Sequence, residues 1–169
     1  MTLDSWLLPP DLISRSVTIM RPNGRRGCEG LALWLGRMAG RCAEVTHAVD
    51  MHGPGFSAAP LQLQLSHRAL IRLTDLCGEL DLFLIGQIHS HPGLFLDLSL
   101  ADCTYGIRRQ DYLSLVCPYY AQHDTTILKQ CGVHVFDAGS YRRLPNGEVD
   151  RRIQLSEHST VVMRCEVPA

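Results

Sequence analysis

A mixed α/β fold, with a mixed β-sheet sandwiched by helices in a single domain, is the class this sequence predicts. Three observations carry it. Short apolar runs with β-branched residues recur along the chain, the stretch 66–80 places apolar residues at helical spacing, and helices and strands alternate without a regular βαβ repeat. The 169 residues suffice for one substantial core, and 46% hydrophobic against 20% charged residues reads as globular rather than disordered.

In chain order, Ser5 to Leu8 predicts a short strand. After Pro9-Pro10, Ile13, Val17 and Met20 fall at helical spacing, although Val17 and Ile19 also fit a strand, and Pro22-Asn23-Gly24 ends the segment. Glu29 to Met38 is apolar enough for a central strand, paired with Cys42 to Met51 through a turn at Gly40. The Gly/Pro/Ala-rich tract Met51 to Pro60 predicts a loop, followed by a short LQLQL strand. Ser66 is an N-cap candidate for a helix whose Leu70, Leu73, Leu76, Cys77 and Leu80 fall on one face.

Leu82 to Ile88, LFLIGQI, has the length and content of a buried strand. A loop Gly93 to Leu98 and a helix from about Ser99 to Arg109 follow, then strands at Tyr112 to Cys117 and Gly132 to Asp137. Asn146-Gly147 is a strong short hairpin signal and predicts a turn into a strand Glu148 to Leu155. The domain is expected to span residues 1–155, with 156–169 as a C-terminal tail that is either an edge strand near Val161 to Val167 or disordered.

The chemistry centres on the end of LFLIGQI, which runs into His89-Ser90-His91-Pro92. Side chains alternate along a strand, so His89 and His91 project to one side and can grip one ion. Ser99 and Asp102 complete the string H-x-H-x7-S-x2-D. Imidazole and carboxylate suit zinc, and a catalytic zinc keeps three protein ligands with water in the fourth position; His89, His91 and Asp102 supply that number. The plain alternative is that Ser99 is only an N-cap and Asp102 only an acid in the first turn of a helix.

The string H-S-H-P-x6-S-x2-D resembles the motif of the JAMM, or MPN-plus, metalloprotease family, whose members are mostly zinc isopeptidases acting on ubiquitin and ubiquitin-like proteins. The family also uses an upstream glutamate in E-x-x-G-x-x-x-G or a looser version. Here Glu29 and Gly36 match and Ala32 stands in place of the middle glycine. The resemblance implies the JAMM/MPN, cytidine-deaminase-like architecture, one Zn2+ on His89, His91 and Asp102, Glu29 as general base and acid, and Ser99 as a hydroxyl donor to the oxyanion. GQIHSHPG, YLSLVCPYYA and GVHVF look like the compact JAMM proteins of bacterial operons that encode a ubiquitin-like protein with activating and conjugating enzymes, some of them antiviral defence systems. The implied substrate is a ubiquitin-like protein joined through its C-terminus to another protein, or its precursor. The cognate activating and conjugating enzymes are further implied partners. Which residues bind the substrate is not legible.

Two other readings stand beside this one: a JAMM-type amidase or peptidase on a non-ubiquitin substrate, and a non-catalytic MPN scaffold, which typically lacks a ligand. A zinc nucleobase deaminase is disfavoured because no H-x-E with P-C-x-x-C occurs. Cys117, His123, Cys131 and His134 lack the spacing of a compact structural zinc knuckle, and Cys103 reads as a buried small hydrophobe. A net charge of −1 with no basic run gives no case for nucleic acid. The N-terminus lacks the pattern of a signal peptide, no stretch approaches a membrane span, and seven scattered cysteines fit reduced thiols, so a cytoplasmic protein is expected.

Overall fold

The computed structural model describes residues 2–169. Strands β1 (Ser5–Leu8), β2 (Leu31–Ala39), β3 (Cys42–His52), β6 (Phe83–Ser90), β7 (Leu113–Cys117), β8 (Gly132–Asp137), β9 (Ser140–Arg143), β10 (Ile153–Leu155) and β11 (Val161–Glu166) form one mixed sheet in the order β10-β1-β3-β2-β6-β7-β8-β9. The far edge of β3 is shared: β1 pairs with residues Cys42 to Glu44, and β11 pairs in parallel with His47 to His52. Strands β4 (Phe56–Ala59) and β5 (Gln62–Leu65) make a separate hairpin. Helices α1 (Leu12–Gly24), α2 (His67–Leu80), α3 (Leu100–Tyr105) and α4 (Asn146–Arg152) complete the chain.

The strand β2 is buried on both faces because the sheet carries a helix on each side. Ala32 and Trp34 face a core that includes Leu12, Val17 and Met20 of α1, and Trp34 Nε1 donates to Ser16 Oγ at 2.9 Å. Leu31, Leu33 and Leu35 face a second core with Leu73 and Leu76 of α2 and Cys165 of β11. Close approach requires two glycines here. A Cβ at Gly30 would lie 2.6 Å from Met20 Cβ, and one at Gly36, beside the β2–β3 bulge, would lie 1.8 Å from the Glu44 carbonyl oxygen.

Three expectations are corrected. The tract 51–60 is not wholly loop. Gly53 and Gly55, at φ +92° and +100°, bend the chain into β4, whose Phe56 packs on the α2 core. The helix after Ser99 ends at Tyr105 rather than Arg109, since Gly106 is extended at ψ 172°. Asn146-Gly147 does not turn a hairpin. Pro145 precedes α4, Val149 is buried, and Glu148 is gripped by Arg142 and Arg152 at 2.7 and 2.9 Å. Only Ile153–Leu155 remains strand, and the hairpin of this region turns at Ala138-Gly139, both at positive φ, between β8 and β9.

Candidate metal centre and cleft

The strand β6 is central, between β2 and β7, and this fixes the two histidines. Leu31 of β2 lies opposite His89, and the Ser90 N–H donates to the Gly30 carbonyl at 3.0 Å, so the antiparallel register brings Glu29 to the level of His91. Just beyond the strand, the His91 N–H donates to the Cys117 carbonyl at 2.9 Å, and the His91 carbonyl accepts from the Tyr120 N–H at 2.7 Å. The ligand candidate is thus bonded through its backbone on both sides.

Asp102 arrives from the first turn of α3. Ser99 caps that helix: its Oγ accepts from the Asp102 N–H at 3.1 Å, while its own N–H and hydroxyl both donate to Asp102 Oδ2 at 2.7 Å. This capping box aims the carboxylate at the histidines. His89 Nε2 and His91 Nε2 stand 3.1 Å apart, and Asp102 Oδ2 lies 3.4 and 3.3 Å from them. Among the described residues these three form the one cluster of its kind able to hold an ion.

The donor chemistry fits a divalent metal. His91 Nδ1 faces the Phe95 carbonyl at 3.1 Å, so it carries the hydrogen and leaves Nε2 a bare lone pair. Lone pairs of nitrogen and carboxylate oxygen then converge, an arrangement that a cation satisfies. A tetrahedral ion with bonds of about 2.0–2.1 Å holds its ligand atoms about 3.3–3.4 Å apart, close to the separations found here.

Glu29 is 4% exposed, and burial pushes its carboxyl up to about 7, with His91 opposing the rise and Asp102 adding to it. Asp102 goes the other way. Its burial is outweighed by the imidazoles of His89 and His91 and the hydroxyl of Ser99 around it, which hold its carboxyl well below the usual carboxylate range. Two neighbouring carboxyls are therefore pushed apart, one kept ionised and one able to take and give a proton near neutrality.

A cleft of about 710 Å³ opens at His89 and Asp102. Its walls are the β4–β5 hairpin, with Leu61, Leu63 and Leu65, and α3 with the segment after it, with Tyr105 and Ile107. This cleft was not legible in the sequence; the alternating LQLQL, with leucines half-buried or exposed, was its one local sign. Two supports were also missed. The 93–98 loop that supplies the Phe95 carbonyl is tied down through Asp97, whose Oδ1 lies 2.7 Å from Arg143 and 3.6 Å from His134 Nε2. Residues Tyr119, Tyr120 and Ala121 all adopt positive φ, at 53°, 51° and 58°, which costs non-glycine residues roughly 1–2 kcal/mol each.

The remaining histidines and cysteines do not assemble a second centre among the described residues. His123 stacks on Tyr119, His134 faces Asp97, and Cys117 and Cys131 lie in the main core. Cys103 is half-buried rather than buried.

No family model matches the chain. It is 26% identical over 153 residues to "Probable metalloprotease y4jG" of Sinorhizobium fredii, covering 88% of this chain and 93% of that protein. Among solved structures it is similar to protein DSY2949 from Desulfitobacterium hafniense, at TM-score 0.60 and 16% identity over 91% of this chain and 94% of the other, so that fold is shared. A JAB1/MPN domain protein from Archaeoglobus fulgidus superposes at TM-score 0.48 and 12% identity, over 90% of this chain and 98% of the other.

Proposed function

We propose that the chain is a JAMM-type zinc metallopeptidase that hydrolyses the amide bond at the C-terminus of a ubiquitin-like protein, in deconjugation or precursor processing. The observation that carries the reading is the convergence of His89, His91 and Asp102 beside the buried carboxyl of Glu29 at the mouth of a cleft. The motif H-S-H-P-x6-S-x2-D and the relative named as a probable metalloprotease support it.

His89, His91 and Asp102 would hold the ion. Bound there, zinc would supply a Lewis acid that makes water nucleophilic at neutral pH and polarises the scissile carbonyl. Glu29 accepts the proton of the attacking water and returns it to the departing amine, a task suited to a carboxyl that burial raises above its ordinary value and a bound cation draws part of the way back. The Ser99 N–H keeps Asp102 in place, so the Ser99 hydroxyl is free to turn toward the oxyanion as the carbonyl becomes tetrahedral. An extended C-terminal tail lies along the unpaired edge of β5 and reaches the site through the cleft. A role in a bacterial ubiquitin-like conjugation pathway linked to antiviral defence, with activating and conjugating enzymes as partners, belongs to the same proposal.

The test is cleavage of a ubiquitin-like protein fused through its C-terminus to a reporter. Cutting at the boundary that stops with a chelator, returns with zinc, and falls about 10²–10⁴-fold or more in Glu29→Gln is the expected result. Cutting that survives chelation, or that Glu29→Gln leaves intact, overturns the mechanism. Failure to cut this fusion while zinc-dependent cutting of a short peptide persists would move the substrate away from ubiquitin-like proteins.

A further inference from the structure

The turn Tyr119-Tyr120-Ala121 is strained, yet it is bonded at every side. The Tyr120 N–H donates to the His91 carbonyl at 2.7 Å, and the Tyr119 N–H donates to the Gly93 carbonyl at 3.2 Å. The Tyr120 carbonyl accepts from Gln122 Nε2 at 3.1 Å and packs where a Cβ on Gly24 would lie 2.0 Å away. Left-handed conformation in consecutive non-glycine residues persists only where surroundings over-determine it, and such strain concentrates at functional sites. Its effect here is to deliver one side chain. Tyr120, half-buried, reaches away from the core and its hydroxyl donates to the Pro60 carbonyl at 2.8 Å.

Pro60 is the tip of the β4–β5 hairpin, since Ala59 pairs with Gln62. That hairpin is not part of the main sheet. Its base is held by the Ser66 N–H to the Gly55 carbonyl at 2.7 Å and by Phe56, Leu63 and Leu65 against the α2 core. Its tip has two ties: the Glu29 N–H to the Ala59 carbonyl at 3.0 Å, and Tyr120 to Pro60. One tie ends on the backbone of the proposed base. The other ends on the residue whose N–H holds His91.

We infer that Tyr120 is a positioning residue that sets the wall of the substrate cleft in register with Glu29 and His91, and thereby governs how tightly an extended substrate is held. The inference rests on the proposed reading of the cleft as the substrate's seat. The phenol touches neither metal ligand nor reacting atoms; it acts through Pro60 on the strand that lines the cleft. Removing it leaves the tip held by the single Glu29–Ala59 bond and loosens the hairpin about its base, while Glu29, His89, His91 and Asp102 keep their own supports.

The experiment compares wild type with Tyr120→Phe, which deletes the hydroxyl and keeps the ring. Backbone amide exchange is read across 56–65, with bound zinc counted per chain and kcat and KM measured on the reporter fusion. Faster exchange confined to 56–65, zinc content and melting temperature unchanged, and KM raised about two- to tenfold with kcat little altered are expected, the size of one lost hydrogen bond. Exchange unchanged across 56–65 overturns the tether, and a fall in kcat at constant KM overturns the positioning role in favour of a part in the chemistry. Exchange needs no substrate. Faster exchange in a protein that cuts no fusion would uphold the tether and refute only the reading of the cleft as a peptide seat.

Discussion

Glu29 sits beside a carboxylate that its neighbours hold ionised, and its own carboxyl is pushed up to about 7 by burial. This has a consequence for stability in the metal-free protein. Below the ordinary glutamate value of about 4.5, folded and unfolded chains both hold the proton; between there and about 7 only the folded chain holds it. Stability therefore falls as pH rises through that window, by at most about 3 kcal/mol, and the loss is complete above it. Denaturant unfolding of the chelated protein at pH 5 and pH 8 should show this fall, and Glu29→Gln should remove that part of it; an equal fall in both proteins would place the effect elsewhere. With metal bound, a cation near Glu29 opposes the shift, so the acid limb of kcat/KM for the proposed hydrolysis is expected below pH 7. The clustering of His89, His91 and Asp102 was legible in the sequence because local geometry alone sets it: alternate residues at the end of one strand, and the third residue of a capped helix. The burial of Glu29 was not, because it depends on β2 lying against β6, a pairing of residues about 58 positions apart in the chain.

At the scale of elements, the 93–98 loop connects the strand that carries the histidines to the helix that carries Asp102. Its Phe95 carbonyl fixes His91 Nδ1, and its Leu96 carbonyl oxygen would lie 1.8 Å from a Cβ on Gly132 of β8. Gly132→Ala therefore forces the loop or the strand to move, and with it the hydrogen bond that orients His91. Loss of such an outer support costs about 10–100-fold in metal affinity, and competition against a chromogenic chelator should show that loss in Gly132→Ala and a smaller one in Asp97→Asn. Affinity unchanged in both would mean that the loop does not orient His91. Elements were read well where the pattern was local, as in α2 with its Ser66 cap, and poorly where a neighbour decided. Asn146-Gly147 has the composition of a hairpin turn, but the preceding Pro145 and the grip of Arg142 and Arg152 on Glu148 make it the start of a helix. The hairpin turn itself, Ala138-Gly139, lacks the asparagine that would have advertised it.

Across the whole molecule, a long mixed sheet with a helix packed on either face carries the centre on β6, and no helix among the described residues is long and apolar enough to cross a membrane. The class of fold was legible from apolar runs and their irregular order. The strand order was not, because the sharing of β3 between β1 and β11 joins residues from both ends of the chain, and no local pattern encodes such pairing. Two ends of the chain thus close on the strand beside β2, and Glu29 lies just ahead of β2. Metal bound to the folded protein alone adds stability, about 2.7 kcal/mol at a hundredfold excess over the dissociation constant, so metal and fold are coupled. In the proposed mechanism His89, His91 and Asp102 are the ligands of this centre and Glu29 is a separate proton carrier. Zinc counted per chain in wild type, Glu29→Gln, His89→Ala and Asp102→Ala tests it most directly. About one zinc in wild type and in Glu29→Gln, with little in the other two, is what the division predicts. Equal loss in all three variants, or no zinc in wild type, would contradict it.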